Sequence, residues 1–481
     1  MDGGTTAVGK SQRLKWATAA ALALAAFNLG YRLDREMLDV WDESLFATSA
    51  LEMVEAGWSA ATTFGGALDY YNSKPPLNVW LITASFHAFG VGVVALRLPV
   101  VVCAWLTVLA THWWTRRTFG DRPALLATLV LATTYGFLYV HSGRTANADA
   151  PLTLAITLTV VAVWAARERP WMLVATGGLA AAAVLLKGPG AVAYLLPIVA
   201  VDLLASPSRC RWQARMVAVL ACLVPVAVYV AARWRIDGTA FLLRMVGYDV
   251  VTRLQRPIDE HAGEWWFYLD VLQRHHYDWL AVLVAALWVA PPGWPRVRAW
   301  AGADAGRRHT LWLLAAWATA TFLLPSAITT KTAWYLNGFY PLFAVLVALA
   351  VSAALDRLAP SSRARRRAAF VMLIVVAAVV AESKLAWRSF RQLDLSRSPQ
   401  ELLLRRGEMM AGATVFAAGC PMPEAFLAQR AGASCVEAGT SDAALAQARH
   451  GDIWLGAAPV THPALRLVDA NRTAWLYRIE P

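Results

Sequence analysis

Apolar stretches of about 18 to 22 residues recur along the first 390 positions, separated by short polar connections. At about 1.5 Å per residue each is long enough to cross a hydrocarbon core of roughly 30 Å, so the pattern predicts membrane-spanning helices. They fall near 15–33, 95–114, 123–141, 151–166, 171–186, 189–205, 216–233, 277–292, 310–326, 334–355 and 368–387, about eleven in all. The segment 75–90, "PPLNVWLITASFHAFG", is apolar but short. Opened by the rigid Pro75–Pro76 pair, it reads as a helix lying at the outer membrane interface. After about residue 388 the pattern changes. "ATVFAAG", "ASCVEAG", "GDIWLGA" and "TAWLYRIEP" read as strands, alternating with helical "MPEAFLAQR" and "SDAALAQAR". The expected fold is an all-α polytopic membrane domain over 1–387, with a small α/β domain over 388–481.

Composition agrees with this reading: 58% of residues are hydrophobic, 16% are charged and mean hydropathy is +0.45. The net charge of +12 does not point to nucleic acid, because the basic residues cluster between apolar spans instead of along one soluble face. Those clusters, such as Arg116–Arg117, Arg307–Arg308 and "RARRR" at 363–367, set the orientation through the positive-inside rule. The N-terminus is expected in the cytoplasm of a bacterial inner membrane, with a retained first helix. Two long outer loops, 34–94 and 234–276, and the C-terminal domain then lie in the periplasm. Of the five cysteines, Cys420 and Cys435 are the two placed to meet, as a disulfide or as two buried thiols.

With that topology, polar residues scattered along the chain collect on one face: Asp42, Glu43, Lys74, Arg144, Asp149, Lys187, His261, Glu264, Lys331 and Tyr335. Only six of the 44 cationic residues are Lys, and three of the six, Lys74, Lys187 and Lys331, occupy this face. A compact ammonium is a suitable point charge for a phosphate, although each Lys taken singly also fits a side chain snorkelling at a helix end. Asp42 opens a predicted amphipathic helix and is placed to accept or orient the proton of an incoming hydroxyl. Asp149 has a competing role as a helix-dipole partner, His261 as a solvated loop histidine and Tyr335 as an interfacial aromatic.

The ordered set "WDESLFA", "GGALDYYNSKPPLNVWLITASFHAFGVGVVALRLP", "RTANADAPL", "LLKGPGAVAYLLP", "HAGEWWFYL" and "KTAWYLNGFYP" resembles the GT-C membrane glycosyltransferases over about residues 35–350. Within them it is similar to the bacterial aminoarabinose-transferase and protein-mannosyltransferase superfamily. The resemblance implies inverting transfer of a sugar from a polyprenyl-phosphate donor to a lipid A, glycan or protein acceptor, by a monomer in contact with membrane lipid. It makes Asp42 and Asp149 the catalytic acidic residues and Lys74 the phosphate ligand. The resemblance matches Lys187, His261, Lys331 and Tyr335 to family positions, and these are expected to bind substrate together with Glu43, Arg144 and Glu264, which share the same face; Glu43 has a competing role in orienting its helix or its neighbours. Two positions depart from the family. Ser73 stands where the family has the Glu of its "EKPP" segment, so the divalent metal that such a Glu and a loop His would share is not assigned, and no cofactor is expected. Leu45 stands where a basic residue often follows the acidic pair. A transporter or a non-catalytic lipid-binding scaffold is the competing class; a transporter calls for charges in mid-span and matching broken halves, which the sequence does not display.

Overall fold

The computed structural model describes residues 3–205, 208–252, 261–293, 299–300 and 302–480. Helices α1 (Gly3–Gly30), α2 (Asp42–Ala56), α3 (Leu77–Phe89), α4 (Val93–Phe119), α5 (Asp121–Ala132), α6 (Asp149–Ala166) and α7 (Leu173–Lys187) lead into α8 (Arg209–Asp237) and α9 (Phe267–Val289). Then follow α10 (Ala305–Ala318), α11 (Tyr340–Arg357) and α12 (Ala364–Trp387). Among the described residues seven helical segments are long and apolar enough to span a membrane. They correspond to α4, α6, α7, α8, α10, α11 and α12 with their flanking turns. The other four expected spans take different forms. The stretch 15–33 is the C-terminal part of α1 with the turn beyond it, and 277–292 belongs to α9, whose backbone breaks at His276. The stretch 123–141 divides into α5 and a short turn of helix, Tyr135–Tyr139. Around 189–205, prolines at 189 and 197 leave only 3-10 turns about a five-residue helix.

Helix ends follow local chemistry. The Ser208 hydroxyl accepts from Arg211 N at 3.2 Å to start α8, and Asp304 Oδ1 accepts from Arg307 N at 2.7 Å to start α10. Gly188, with φ of +78°, stops α7 and leaves Lys187 as its last residue. Gly177 permits α7 and α8 to touch, since a Cβ there would lie 1.9 Å from the Ala218 carbonyl oxygen. The main core is built from the inward faces of α4, α5, α6, α9, α10 and α11. α3 has 13 residues, about 20 Å of helix, which is too short to span and agrees with the interfacial reading by length.

The C-terminal part forms a mixed five-stranded sheet in the order β4-β3-β5-β7-β6, after a small β1–β2 hairpin at 63–68. β3 (Thr414–Ala417) pairs parallel with β4 (Ser434–Glu437) and β5 (Ile453–Gly456); β7 (Trp475–Ile479) runs antiparallel to β5 and to β6 (Leu465–Ala470). The four strands read from the sequence are present. β6 was not expected: it is an edge strand, mostly exposed and interrupted by a register shift between Leu467 and Asp469, so its alternation is weak. Cys420 and Cys435 form a disulfide.

This domain does not hang free. Leu402, Leu403, Val415 and Phe426 share one apolar cluster with Phe46, Ala47 and Ala50 of α2 and Val79 and Ile82 of α3. Backbone bonds stitch the chain after α12 to the loop before α2: Met37 N donates to Leu393 O at 2.8 Å and Leu395 N to Arg35 O at 2.9 Å. Gln400 Oε1 accepts from Leu38 N at 2.8 Å. Consequently α2 is buried on all sides from Glu43 to Met53. The amphipathic pattern predicted only Leu45, Ala50 and Met53 or Val54 against apolar surroundings. Its polar side is instead covered by the hairpin, where Ser49 Oγ donates to Thr63 O at 2.9 Å and Glu52 Oε1 accepts from Gly66 N at 3.1 Å.

Candidate active site

The first turn of α2 points its two carboxylates into different environments. Glu43 is fully buried. It accepts from Arg97 Nε at 2.7 Å and Nη2 at 2.9 Å, from Asp39 N at 2.9 Å and from Ala146 N at 3.0 Å. The same guanidinium donates to the carbonyls of Leu33, Glu36 and Met37 at 2.8 to 3.1 Å. One buried pair therefore joins α2, α4 and both loops that carry the acidic residues. Arg144 has a parallel role: it is buried against Glu36, at 2.7 Å, and donates to the carbonyls of Asn28 and Tyr31. Glu36 had no signal in the sequence beyond an acidic residue in a loop.

Asp42 lies one position away and is partly open. Lys74 Nζ donates to its Oδ2 at 2.7 Å, with 28% of the Asp42 side chain and 20% of the Lys74 side chain exposed. Lys74 is delivered by a rigid turn. Asp69 Oδ1 accepts from the backbone N of Tyr71 and Asn72, Asn72 Oδ1 accepts from Lys74 N at 3.3 Å, and Pro75–Pro76 then start α3. Burial pushes the Asp42 carboxyl upward, but the Lys74 charge and hydrogen bond outweigh it, with help from His141 and Lys187, and hold it at about 2.

A second pair of the same kind stands beside it. Asp149 is the first residue of α6, and Lys187 Nζ donates to its Oδ1 at 2.6 Å. Lys187 also lies 5.9 Å over the ring of Tyr335, which sits in the 3-10 turn before α11. Asp42, Lys74, Asp149, Lys187 and Tyr335 are thus brought together by α2, the turn before α3, the start of α6, the end of α7 and the turn before α11.

Lys331 is placed differently. Its ammonium is buried and donates to the carbonyls of Pro325, Ser326 and Ile328 at 2.5 to 3.1 Å, which uses its three N–H groups. Loss of hydration lowers its pKa below the ordinary Lys value. Lys331 N donates to His261 O at 2.8 Å, and the His261 ring meets Trp334 edge-on at 5.8 Å. Glu264 is exposed, and its carbonyl caps the start of α9 by accepting from Phe267 N at 3.0 Å. Asp259 and Glu260, the other acidic residues of "DEHAGE", lie outside the described residues. Among the described residues no three His, Cys, Asp or Glu side chains gather as a metal site.

Sequence reasoning missed a third element. His141 adopts φ of +50°, an uncommon conformation for a non-glycine residue, with its ring stacked on Trp334 at 4.1 Å. Its Nε2 lies 3.7 Å from Asp39 Oδ2, and it is one of the groups that lower the Asp42 carboxyl. Burial raises the Asp39 carboxyl, His141 opposes this, and the neighbouring Glu43 and Asp42 charges raise it further. The available signals were the His three positions before Arg144 and an Asp three positions before Asp42.

The arrangement can bind an anion at two ammonium groups and handle a proton at adjacent carboxylates, all at the helix ends opposite the arginine-rich connections. α4 makes the polarity plain, with Arg97 near its start beside Glu43 and Arg116, about 28 Å further on, paired with Asp121.

Comparison with known proteins bears on the fold. Residues 73–234 match the family described as dolichyl-phosphate-mannose-protein mannosyltransferase. The fold is that of the crystal structure of ArnT from Cupriavidus metallidurans bound to undecaprenyl phosphate, with a TM-score of 0.69 over 97% of this chain and 98% of that one at 15% identity. In sequence and fold the chain is thus similar to the GT-C membrane glycosyltransferases. Among them, the chain is 30% identical over 387 residues to the undecaprenyl phosphate-alpha-4-amino-4-deoxy-L-arabinose arabinosyl transferase 2 of Pseudomonas fluorescens, covering 76% of this chain and 61% of that protein. It is likewise 30% identical over 299 residues to the arabinosyl transferase of Pseudomonas aeruginosa, covering 58% of this chain and 51% of that protein. The chain therefore spans about half to three-fifths of the length of the curated relatives it matches.

Proposed function

We propose that the chain is an inverting glycosyltransferase that moves a sugar from a polyprenyl phosphate to an acceptor at the outer face of the inner membrane, with the N-terminus cytoplasmic and the C-terminal domain periplasmic. The observation that carries this reading is the pair of adjacent, partly open Asp–Lys contacts, Asp42–Lys74 and Asp149–Lys187. A lipid phosphate supplies what both ammonium groups need, and they in turn stabilise the polyprenyl phosphate as it departs. The names of the relatives favour an undecaprenyl-phosphate donor and an aminopentose as the sugar, with a lipid acceptor.

The ion pair also sets the order of events. With its carboxyl held at about 2, Asp42 is a weak base while Lys74 is its partner. When the donor phosphate takes the Lys74 ammonium, Asp42 loses the counter-charge that depresses it and becomes the stronger acceptor for the proton of the attacking group. Asp149 holds Lys187 toward the same phosphate, and Tyr335 closes that side. Glu43 and Arg144 act as positioning residues, and Lys331 and His261 fix the turn that presents Trp334 and Tyr335.

Purified chain in lipid, given undecaprenyl-phosphate sugars and lipid acceptors, is expected to release undecaprenyl phosphate with the aminopentose donor and to lose that activity in Asp42→Asn. Absence of turnover with every lipid-linked sugar, while the protein remains folded, defeats the assignment.

A further inference from the structure

A separate cavity of about 470 Å³ opens at the end of α12, between that helix and the first half of α9. Its size falls in the range of ligand sites, roughly 300 to 1,000 Å³. Three cations line it: Arg274, Lys384 and Arg388. Two are already neutralised. Arg274 pairs with Asp270 at 2.6 Å, and Lys384 pairs with buried Asp278 while lying 4.5 Å over the Tyr277 ring. Among the described residues Arg388 has no carboxylate partner: its Nη1 donates to Gln392 Oε1 at 2.8 Å, and its Nε is buried without a hydrogen-bond partner. A buried, unsatisfied guanidinium N–H in a cavity wall calls for an acceptor.

The cavity does not end there. Tyr277 also lines a second groove of about 590 Å³, which runs on along α9 past Leu280 and Val284 to Trp288, the last of these 87% exposed. The walls of this groove are almost wholly apolar. A cavity lined by cations and an almost wholly apolar groove thus adjoin at Tyr277 on α9. None of the residues lining the cavity or the groove belongs to the Asp42, Lys74, Asp149, Lys187 and Tyr335 cluster.

We propose that this cavity and groove form a binding site for an anionic phospholipid of the surrounding membrane, its phosphate on Arg388 with Arg274 nearby and one acyl chain along α9. Charge complementarity selects the head group, because the spare donor belongs to a cation with no carboxylate partner among the described residues and Arg forms strong contacts with phosphate oxygens. The contiguous groove selects a lipid over a soluble phosphate.

Native mass spectrometry of the full chain in neutral detergent, titrated with phosphatidylglycerol or with phosphatidylcholine of the same acyl chains, tests this. The wild type is expected to hold phosphatidylglycerol about tenfold more tightly. Arg274→Ala combined with Arg388→Ala abolishes that preference, Arg388→Lys retains most of it, Asp42→Asn leaves it unchanged and glycerol phosphate does not compete. If the double variant loses its thermal transition, Arg388→Gln alone, which leaves the Asp270 pair intact, is expected to reduce the preference instead. Equal binding of the two lipids by the wild type overturns the proposal. So does undiminished preference in the double variant or in Arg388→Gln, competition by glycerol phosphate, or loss of preference in Asp42→Asn.

Discussion

Two kinds of ion pair lie within a few residues of each other in this protein, and their contrast separates scaffold from chemistry. Glu43–Arg97 and Glu36–Arg144 are shut away from water: backbone amides also donate to Glu43, the Tyr139 hydroxyl donates to Glu36, and both guanidiniums donate to backbone carbonyls as well as to the partner charge. Asp42–Lys74 and Asp149–Lys187 use a single short contact each and keep part of the lysine open. The planar, many-donor guanidinium suits a fixed junction among several carbonyls, whereas an ammonium on a flexible stem can leave one anion for another. Position in the sequence does not reveal this: Asp42 and Glu43 are neighbours, yet one serves each purpose.

The contrast can be tested by breaking each kind of pair. Arg97→Ala strands the Glu43 carboxylate in the interior and should cost about 3–5 kcal/mol, read as a large fall in melting temperature and in yield of folded protein. Asp42→Asn should instead lower the melting temperature far less than Arg97→Ala and reduce turnover about 100-fold or more, equivalent to about 2.7 kcal/mol in the barrier. Lys74→Ala should act alike but raise KM for the lipid donor as well. An intermediate case is Cys420→Ser with Cys435→Ser, which should destabilise the C-terminal domain by about 2–4 kcal/mol and, through the shared cluster with α2, lower activity at raised temperature.

The smallest effect concerns pH. Because the folded Asp42 carboxyl sits at about 2, below its ordinary value near 3.8, the Asp42–Lys74 pair contributes its stability in full above pH 4. That contribution, at most about 2 kcal/mol, fades as the pH falls through 2. Wild type and Asp42→Asn should therefore converge in stability in acid. A constant difference between them down to pH 2 would place the stabilisation elsewhere.

Much of the site was legible from pattern alone. Apolar runs and arginine clusters gave the bundle and placed one face apart from the other, and the lysines stood out because the chain otherwise uses Arg for positive charge. That reading put Asp42, Lys74, Asp149, Lys187 and Tyr335 on one face, and the structure brings these five together. It also took Glu43 and Arg144 as substrate ligands on the same grounds, since burial cannot be read from residue type, and the structure gives both a full set of internal partners. His141 and Asp39 escaped notice because their meeting depends on a left-handed backbone turn and on Trp334, nearly 200 positions further along the chain. The boundaries of the spans were less legible than their existence. Broken helices such as 189–205 keep the composition of a span while their prolines deny them its backbone.

By itself, then, the sequence determined the class of molecule, because a 30 Å hydrocarbon layer imposes length and hydropathy residue by residue. It also determined which residue types were available for chemistry on one face. Only tertiary structure decided how they are used. Carboxylates one position apart on α2 point 100° apart around the helix, so one meets the Arg97 junction of packed loops and the other meets Lys74 at the edge of solvent. The C-terminal domain, which looked like an appendage, likewise proved to be the wall that buries α2, because an apolar cluster can be assembled from segments more than 300 residues apart.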